Sequence, residues 1–409
     1  MTGRRPGQGT NQEAVRRHNL GTLLRHVHGA GSISRSELTT AMGLNRSTIA
    51  DLVGQLEALG VTEQGRPVGG ARPKAGRPSP SVAVAADGPY VVAVDLGVDR
   101  AVVARVGLGG RLHERAEAPI PLEEAEAWQV GGIVAGLVRQ VVAAAPDTAP
   151  LVGLGISVPG LVRRTDGLVR LAPNLDWHDV SFAGIVLAAL GLEVPVRLGN
   201  DADLGALAEH RRGAGMGIDD LIFLSGNCGV GAGVIAHGHR LEGAGGYAGE
   251  VGHISFDPRG LDCHCGSKGC WETEVGGYAI ARAIGLPQRE VPQLATALAQ
   301  WEERTPELSA IARSLGLGLS TIVNIFNPEL IVLGGYFSAL YSLCADDVHA
   351  GLGERSLTAS FDAVTLSVPG LGQDSVLLGA AEIAFEALFA DPEAALGAAV
   401  VDAHGQLAV

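Results

Sequence analysis

Apolar positions in the first sixty residues recur with the period of a helix. Val15, Leu20, Leu23, Leu24 and Val27 form a stripe through Asn11–His28, interrupted by basic residues. Ser34 followed by Glu37 has the spacing of a capping box, and Leu38, Ala41 and Met42 give the short helix it opens an apolar face. Gly43 stops that helix, since glycine takes a positive φ without steric cost. Asn45 is suited to cap a third helix carrying Ile49, Leu52, Val53, Leu56 and Leu59, which Gly60 ends.

From Pro89 the period changes. Tyr90–Val94 and Ala101–Val106 are β-rich runs around a turn at Gly97, and a third run ends near Ile120. Ala125–Ala145 reads as a helix by length and alanine content. Leu151–Ser157 and Val194–Leu198 read as strands, the second followed directly by a helix over Ala202–Arg212. A similar cycle recurs with strands at Leu221–Leu224 and Gly233–Ala236, a helix near Leu308–Phe326 and a strand at Leu330–Leu333. Strands alternating with helices predict an α/β unit with parallel elements. Two such modules in succession predict two lobes with a ligand cleft between them.

Composition adds a division of labour. The chain has 409 residues and is 46% hydrophobic and 18% charged, which excludes global disorder. Its net charge of −14 is uneven: residues 1–80 carry 11 Lys and Arg against 5 Asp and Glu, and residues 81–409 carry 19 against 39. A basic head on an acidic body points to double-stranded DNA held at one end only. Two short helices joined at Gly43, the second capped, fit a helix-turn-helix. The first turn of the second helix then brings Arg46, Ser47 and Thr48 to the major groove. Gly65–Pro80 holds four Gly, four Pro and four basic residues, as a wing and linker would, and Arg77 before Pro78 is placed to enter a minor groove. The bland reading of this head is a solvated helical bundle with a polar linker.

No apolar stretch follows Met1–Arg5, so no signal peptide is expected. The longest uncharged run, Leu221–His239, holds five Gly, an Asn and two His and reads as strand, turn and strand rather than a membrane span. Five cysteines, three of them within eight residues, argue against a disulfide framework and for the cytoplasm.

Those three, Cys263, Cys265 and Cys270, with the earlier His253, supply the four ligands of a closed structural zinc site. A catalytic zinc needs an open position, which this set does not leave. Glu250 and Glu272 flank the cluster, and Asn200-Asp201 sits where a predicted strand gives way to a helix, at the edge where α/β clefts form. Carboxylates and an amide converging there suit a polyhydroxylated ligand. From spacing alone each carboxylate is better read as a surface charge, and only a family pattern gathers them into one site.

Gly249–His253, Cys263–Glu272, Val158-Pro159-Gly160, Asn200-Asp201-Ala202 and Asn327–Gly335 together resemble the ROK family of repressors, open reading frames and sugar kinases. The resemblance covers roughly residues 85–395, and the head matches the family's repressor branch. It implies an all-α winged helix-turn-helix with its wing and linker over residues 1–82. An actin-like, hexokinase-like body follows, with lobe one at 83–200 completed by 370–409, and lobe two, carrying the zinc loop and sugar site, at 201–369. It also implies that Asn200, Asp201, Glu250, His253 and Glu272 hold a sugar, and that Asp201 is the general base wherever phosphoryl transfer survives.

The phosphate side departs from the kinases of that family. They place Gly-Gly-Thr after Asp-Leu/Ile-Gly, where this chain has Asp95-Leu96-Gly97-Val98-Asp99-Arg100; they use Gly-Thr-Gly where it has Asn227-Cys228-Gly229. A carboxylate about 4 Å from a phosphate charge costs roughly 1 kcal/mol in water and about 4 kcal/mol at an effective dielectric of 20. The expectation is a sugar-responsive repressor, a homodimer or homotetramer on an inverted-repeat operator, without ATP as cofactor. An ATP-dependent sugar kinase is the alternative. No spare cluster of Arg or Lys in the sequence marks a phosphate subsite.

Overall fold

A computed structural model of the chain describes residues 12–65, 80–121, 126–227 and 229–399. Arg77 and the stretch 66–79 lie outside the described residues, as does Cys228.

The head comprises α1 (Gln12–Ala30), β1 (Ser32–Ser34), α2 (Arg35–Met42), α3 (Arg46–Ala58), β2 (Thr62–Gly65) and β3 (Ser81–Val84). Its boundaries follow from the caps. Ser34 Oγ accepts from the Glu37 N–H while Glu37 Oε2 accepts from the Ser34 N–H, Gly43 sits at φ 64°, and Asn45 Oδ1 accepts from the Thr48 N–H. The expectation of an all-α head is corrected: β3 pairs antiparallel with both β1 and β2. Strands of three and four residues are too short to show a period in the sequence.

The first lobe follows with β4 (Tyr90–Leu96), β5 (Arg100–Gly107), β6 (Arg111–Pro119), α4 (Ala127–Val142) and β7 (Leu151–Val158). A small antiparallel sheet of β8 (Leu161–Val162), β9 (Val169–Ala172) and β10 (Trp177–Val180) precedes α5 (Phe182–Leu190) and β11 (Val196–Asn200). Then α6 (Asp201–Arg212) leads to the second lobe: β12 (Leu221–Gly226), β13 (Val230–Ala236), β14 (His239–Arg240), α7 (Trp271–Val275), α8 (Gly277–Ala283), α9 (Leu294–Ala299) and α10 (Pro306–Phe326). It continues with β15 (Leu330–Gly335), α11 (Tyr336–Arg355), α12 (Thr358–Ala363) and β16 (Thr365–Ser367), and the chain ends in α13 (Ser375–Ala384), α14 (Glu386–Ala390) and α15 (Pro392–Gly397).

The two large sheets share one topology. Their orders are β11-β7-β4-β5-β6 and β14-β13-β12-β15-β16, so each has a leading antiparallel meander with two parallel strands added beside its first strand. The expected parallel elements are therefore only half of each sheet, because β4–β5–β6 and β12–β13–β14 are antiparallel. Helix α10 is the described helix long and apolar enough to cross a membrane, yet Leu308, Leu315, Leu319 and Ile322 on it are buried in the second lobe's core.

Helices α6 and α13 lie against each other between the lobes. They approach so closely that a Cβ at Gly379 would stand 2.0 Å from the Leu204 carbonyl oxygen. The head is continuous with this layer. Leu23, Leu24 and Val27 of α1 share one core with Val82, Leu108, Phe385 and Phe389. At its polar centre Glu382 is buried and accepts from Arg211 at 2.7 Å, from Arg212 at 2.5 Å and from His28 at 3.0 Å.

Candidate functional site

A cleft of about 380 Å³ opens between the lobes, at the ends of β4, β11 and β12. Asn200 closes β11 and caps α6: its Oδ1 accepts from the Ala202 and Asp203 N–H groups, and its Nδ2 donates to the Gly160 carbonyl at 3.0 Å. That capping fixes Asp201 as the first residue of the helix, with its carboxylate in the cleft. Burial, reinforced by the charge of Asp95, pushes the Asp201 carboxyl up to about 6. Asp95 is itself pushed up by burial, and its Oδ1 accepts from Ser157 Oγ at 2.7 Å.

Glu250, His253 and Glu272 meet on the facing wall. Burial raises Glu250, opposed by His253 and supported by Glu272. Glu272 Oε2 accepts from the Val230 N–H at 2.8 Å, which ties the start of α7 to β13. The structure thus gathers Asn200, Asp201, Glu250, His253 and Glu272 around one cavity. Next to them the His264 ring stacks on Tyr278, with centroids 6.0 Å apart and planes 7° from parallel. A lone histidine and tyrosine fourteen positions apart gave no sign of this wall in the sequence.

His253 and the three cysteines also come together. Their ligand atoms all lie within 4.8 Å of one another, with His253 Nδ1 3.7 Å from Cys263 Sγ and Cys265 Sγ 3.6 Å from Cys270 Sγ. A tetrahedron with bonds of about 2.3 Å has edges of about 3.8 Å, so the donor set fits a metal such as zinc. The other ring nitrogen, Nε2, faces Glu250 Oε2 at 3.8 Å, so one imidazole spans the cysteine loop and the cleft.

On the side of the cleft that the resemblance assigns to phosphate, this chain's own groups bond to one another. Asn227 Nδ2 donates to Asp201 Oδ2 at 3.2 Å and to Ser225 Oγ at 3.3 Å. Tyr336, 1% exposed, donates its hydroxyl to the Gly229 carbonyl at 3.0 Å and lies across Gly226, where a Cβ would stand 2.7 Å from its ring. Asp99 and Arg100 line the cleft beside Gly97. The resemblance to the ROK kinases pointed to Asp99 and Asn227; Tyr336 was not singled out from the sequence.

Comparison with known proteins sets this geometry in a lineage. The ROK family profile matches residues 91–387. The chain belongs to the ROK family. It is 29% identical over 402 residues to the xylose repressor of Caldicellulosiruptor bescii, covering 94% of this chain and 99% of that one. In fold it matches a ROK family transcriptional regulator described as a homologue of the E. coli MLC protein, with a TM-score of 0.71, 23% identity and coverage of 96% and 99%. A ROK glucokinase from Streptomyces griseus, solved with glucose and AMPPNP, aligns with a TM-score of 0.62 at 27% identity, covering 72% of this chain and 99% of that one. The body is therefore the two-lobed ROK fold of mixed sheets and helices, and the likeness to the repressor and the regulator runs on through the head.

In the head, Arg46, Ser47 and Thr48 occupy the first turn of α3. Ser47 and Thr48 spend their hydroxyl hydrogens on Asn45 Oδ1, at 2.7 and 3.1 Å, leaving only lone pairs to offer a partner. The head's basic excess is also partly spent inside the molecule. Arg16, Arg17 and Arg25 pair with Glu393, Asp391 and Glu386, and Arg35 lies 3.6 Å from Glu57. Among the described head residues Arg46 is the one arginine outside this set.

Proposed function

We propose that this ROK protein is a sugar-responsive transcriptional repressor whose cleft binds sugar without phosphorylating it efficiently. One observation carries the reading: the carboxylates and amide that suit sugar hydroxyls are assembled, while the residues lining the side where a triphosphate would lie include the carboxylate of Asp99 and the internally bonded Asn227 and Tyr336. Phosphoryl transfer is chiefly positioning and charge neutralisation, and a tyrosine hydroxyl bonded to a loop carbonyl supplies neither.

In this reading Asn200, Asp201, Glu250, His253 and Glu272 hold the sugar. Zinc held by His253, Cys263, Cys265 and Cys270 orders the loop that presents His253 and Glu272, since four protein ligands leave no position for chemistry. The head is a winged helix-turn-helix, with Arg46 reading the major groove; Arg77, outside the described residues, is the candidate for a minor-groove contact. Two chains of a homodimer, or two of the four in a homotetramer, grip an inverted repeat. Repression of a pentose pathway fits the relative named as a xylose repressor.

The second reading, a sugar kinase, has one observation in its favour: a carboxyl near 6 at Asp201 suits a general base. One pair of measurements separates the two. The intact protein is tested for operator binding with and without D-xylose and other monosaccharides, and for sugar-dependent ADP release, with Asp201→Asn as control. A shift in operator affinity without turnover supports the regulator; sustained ADP release lost in Asp201→Asn establishes the kinase.

A further inference from the structure

On the far side of Asn200 from the cleft lies a second cavity, of about 310 Å³, at the lower end of the range of about 300–1,000 Å³ in which small-molecule sites fall. It is walled by the small sheet's β8 and the loop after it, β11, α6, the β14 hairpin and the start of α14. Inside it Asp203 is 9% exposed, and its Oδ1 has no hydrogen-bond partner. Native proteins rarely leave a buried carboxylate oxygen unanswered, and such an atom marks where a missing group belongs. Arg240 is the nearest opposite charge, but it is not within ion-pair distance: its guanidinium is held by Glu242. A hydroxyl placed between Asp203 and Arg240 would donate to the carboxylate and accept from the guanidinium.

The rim supplies the opposite requirement. Arg164 is 3.7 Å from Glu242, a loose contact, and Arg197 is exposed with no ion pair among the described residues. Glu242 is already shared between two arginines, and Glu386, the remaining acid of the wall, is bonded to Arg25 and Arg211. A neutral sugar would answer Asp203 and leave Arg197 idle. A bare anion would answer Arg197 and bring no donor to Asp203. We infer that this cavity is a second ligand site for a small hydroxylated anion, a sugar phosphate or a sugar acid, with its hydroxyl on Asp203 and its charged group between Arg197 and Arg164.

The sequence hid this site because its arginines, at 164, 197 and 240, come from three separate segments and form no cluster along the chain. Its position has a consequence. Glu386 in its wall also holds Arg25 of the head at 2.7 Å, so an occupant touches the junction between body and head. The effect on operator binding rests on the regulator reading; occupancy of the cavity does not.

The test is calorimetric titration of the full chain with D-glucose 6-phosphate, D-gluconate, inorganic phosphate and neutral D-xylose. Expected is saturable binding of one or both hydroxylated anions, weakened roughly tenfold or more by Arg197→Gln, because a charge-assisted hydrogen bond is lost. Asp203→Ala should weaken the hydroxylated anions and leave any inorganic phosphate binding unchanged. Asp201→Asn, which disables the cleft, should leave anion binding intact. Whether phosphate or carboxylate is preferred tells which source the headgroup comes from, and either supports the site. The inference is overturned if neither hydroxylated anion binds, if Arg197→Gln binds them as the parent does, or if Asp201→Asn abolishes them, which would place them in the cleft. Failure of neutral sugars alone counts against the proposed function and not against this cavity.

Discussion

His28 of α1 and Glu382 of α13 meet at 3.0 Å in the interior, and a single neutral tautomer satisfies both sides of the imidazole. Nδ1 accepts from the Gly109 N–H at 3.1 Å, so the proton sits on Nε2 and is donated to Glu382. Protonating Nδ1 would set two donors against each other. Burial also depresses the His28 pKa, because the charged imidazolium is desolvated there, although Glu382 pulls the other way. Glu382 stays ionised: burial would raise it, but His28, Arg212 and Arg211 hold it well below the usual carboxylate range.

The sign of the pH effect follows. The unfolded histidine takes a proton near 6.5 and the folded one resists it, so the unfolded chain binds more protons below that pH. Stability from this residue is complete above about 6.5 and is lost as pH falls, at up to about 1.4 kcal/mol per pH unit. His28→Gln should flatten the stability–pH slope between about pH 5 and 6.5 relative to the parent. Urea melts at several pH values measure it; parallel slopes in the two proteins would mean that His28 does not titrate there.

The helix that begins at Asp201 ends at this same junction. With 12 residues, α6 spans about 18 Å. Its last residue, Arg212, donates to Glu382 Oε1 at 2.5 Å, to the Gly109 carbonyl at 2.9 Å and to the His28 carbonyl at 3.3 Å. If sugar binding closes the lobes and moves Asp201, these contacts would carry the movement to α1. Arg212→Lys keeps the charge but cannot reproduce the guanidinium's fork of contacts. It should leave sugar affinity within about twofold and reduce the sugar-induced change in operator affinity, which for a coupling of typical size is about 5- to 150-fold. Operator titrations with and without sugar read this directly; full coupling in Arg212→Lys would show that the signal takes another route.

The sequence made local order visible and long-range meetings invisible. Ser34, Glu37 and Gly43 declared the ends of α2, and Asn45 the start of α3, because a cap is decided within four residues. The Cys263–Cys270 loop was equally plain, since three ligands fit in one turn-rich stretch. Asp201 was found at the end of a strand run that β11 continues by two residues. Tyr336 was not found, because a tyrosine after two glycines has the same local pattern whether it fills a core or a cleft. The pairing of Arg16 and Arg17 with Glu393 and Asp391 joins opposite ends of the chain, so a charge count over residues 1–80 overstated what the head has left for DNA.

The cysteine loop is anchored by packing from the residue that follows it. Trp271, directly after Cys270, is fully buried and donates Nε1 to the Ser314 carbonyl at 3.1 Å. A Cβ at Gly318 would stand 1.9 Å from its indole ring. Gly318→Ala therefore has to displace Trp271, at about 1–3 kcal/mol. Thermal melts should show the loss, and zinc release to a chromogenic chelator should be faster than in the parent. Unchanged release with a lowered melting temperature would uncouple the tryptophan from the loop.

Arg46 carries the most exposed expectation about DNA. Ser47 and Thr48 cap α3 with Asn45, so Ser47→Ala and Thr48→Ala act mainly on the helix start and should cost operator affinity little beyond that. Arg46 is exposed at the helix N-terminus with its guanidinium uncommitted among the described residues. If it reads a base, Arg46→Ala costs about 1–3 kcal/mol and relaxes preference at one position of each half-site. If it holds a phosphate, the loss is uniform across sequences and the slope of log affinity against log salt falls by about 0.9 per half-site. Sugar affinity is unchanged in both cases, because Arg46 has no part in the cleft. Operator and scrambled-duplex titrations at several salt concentrations distinguish the two. An Arg46→Ala protein that binds operator as tightly as the parent at every salt concentration would remove α3 from the interface and leave recognition to the segment between Gly65 and Pro80.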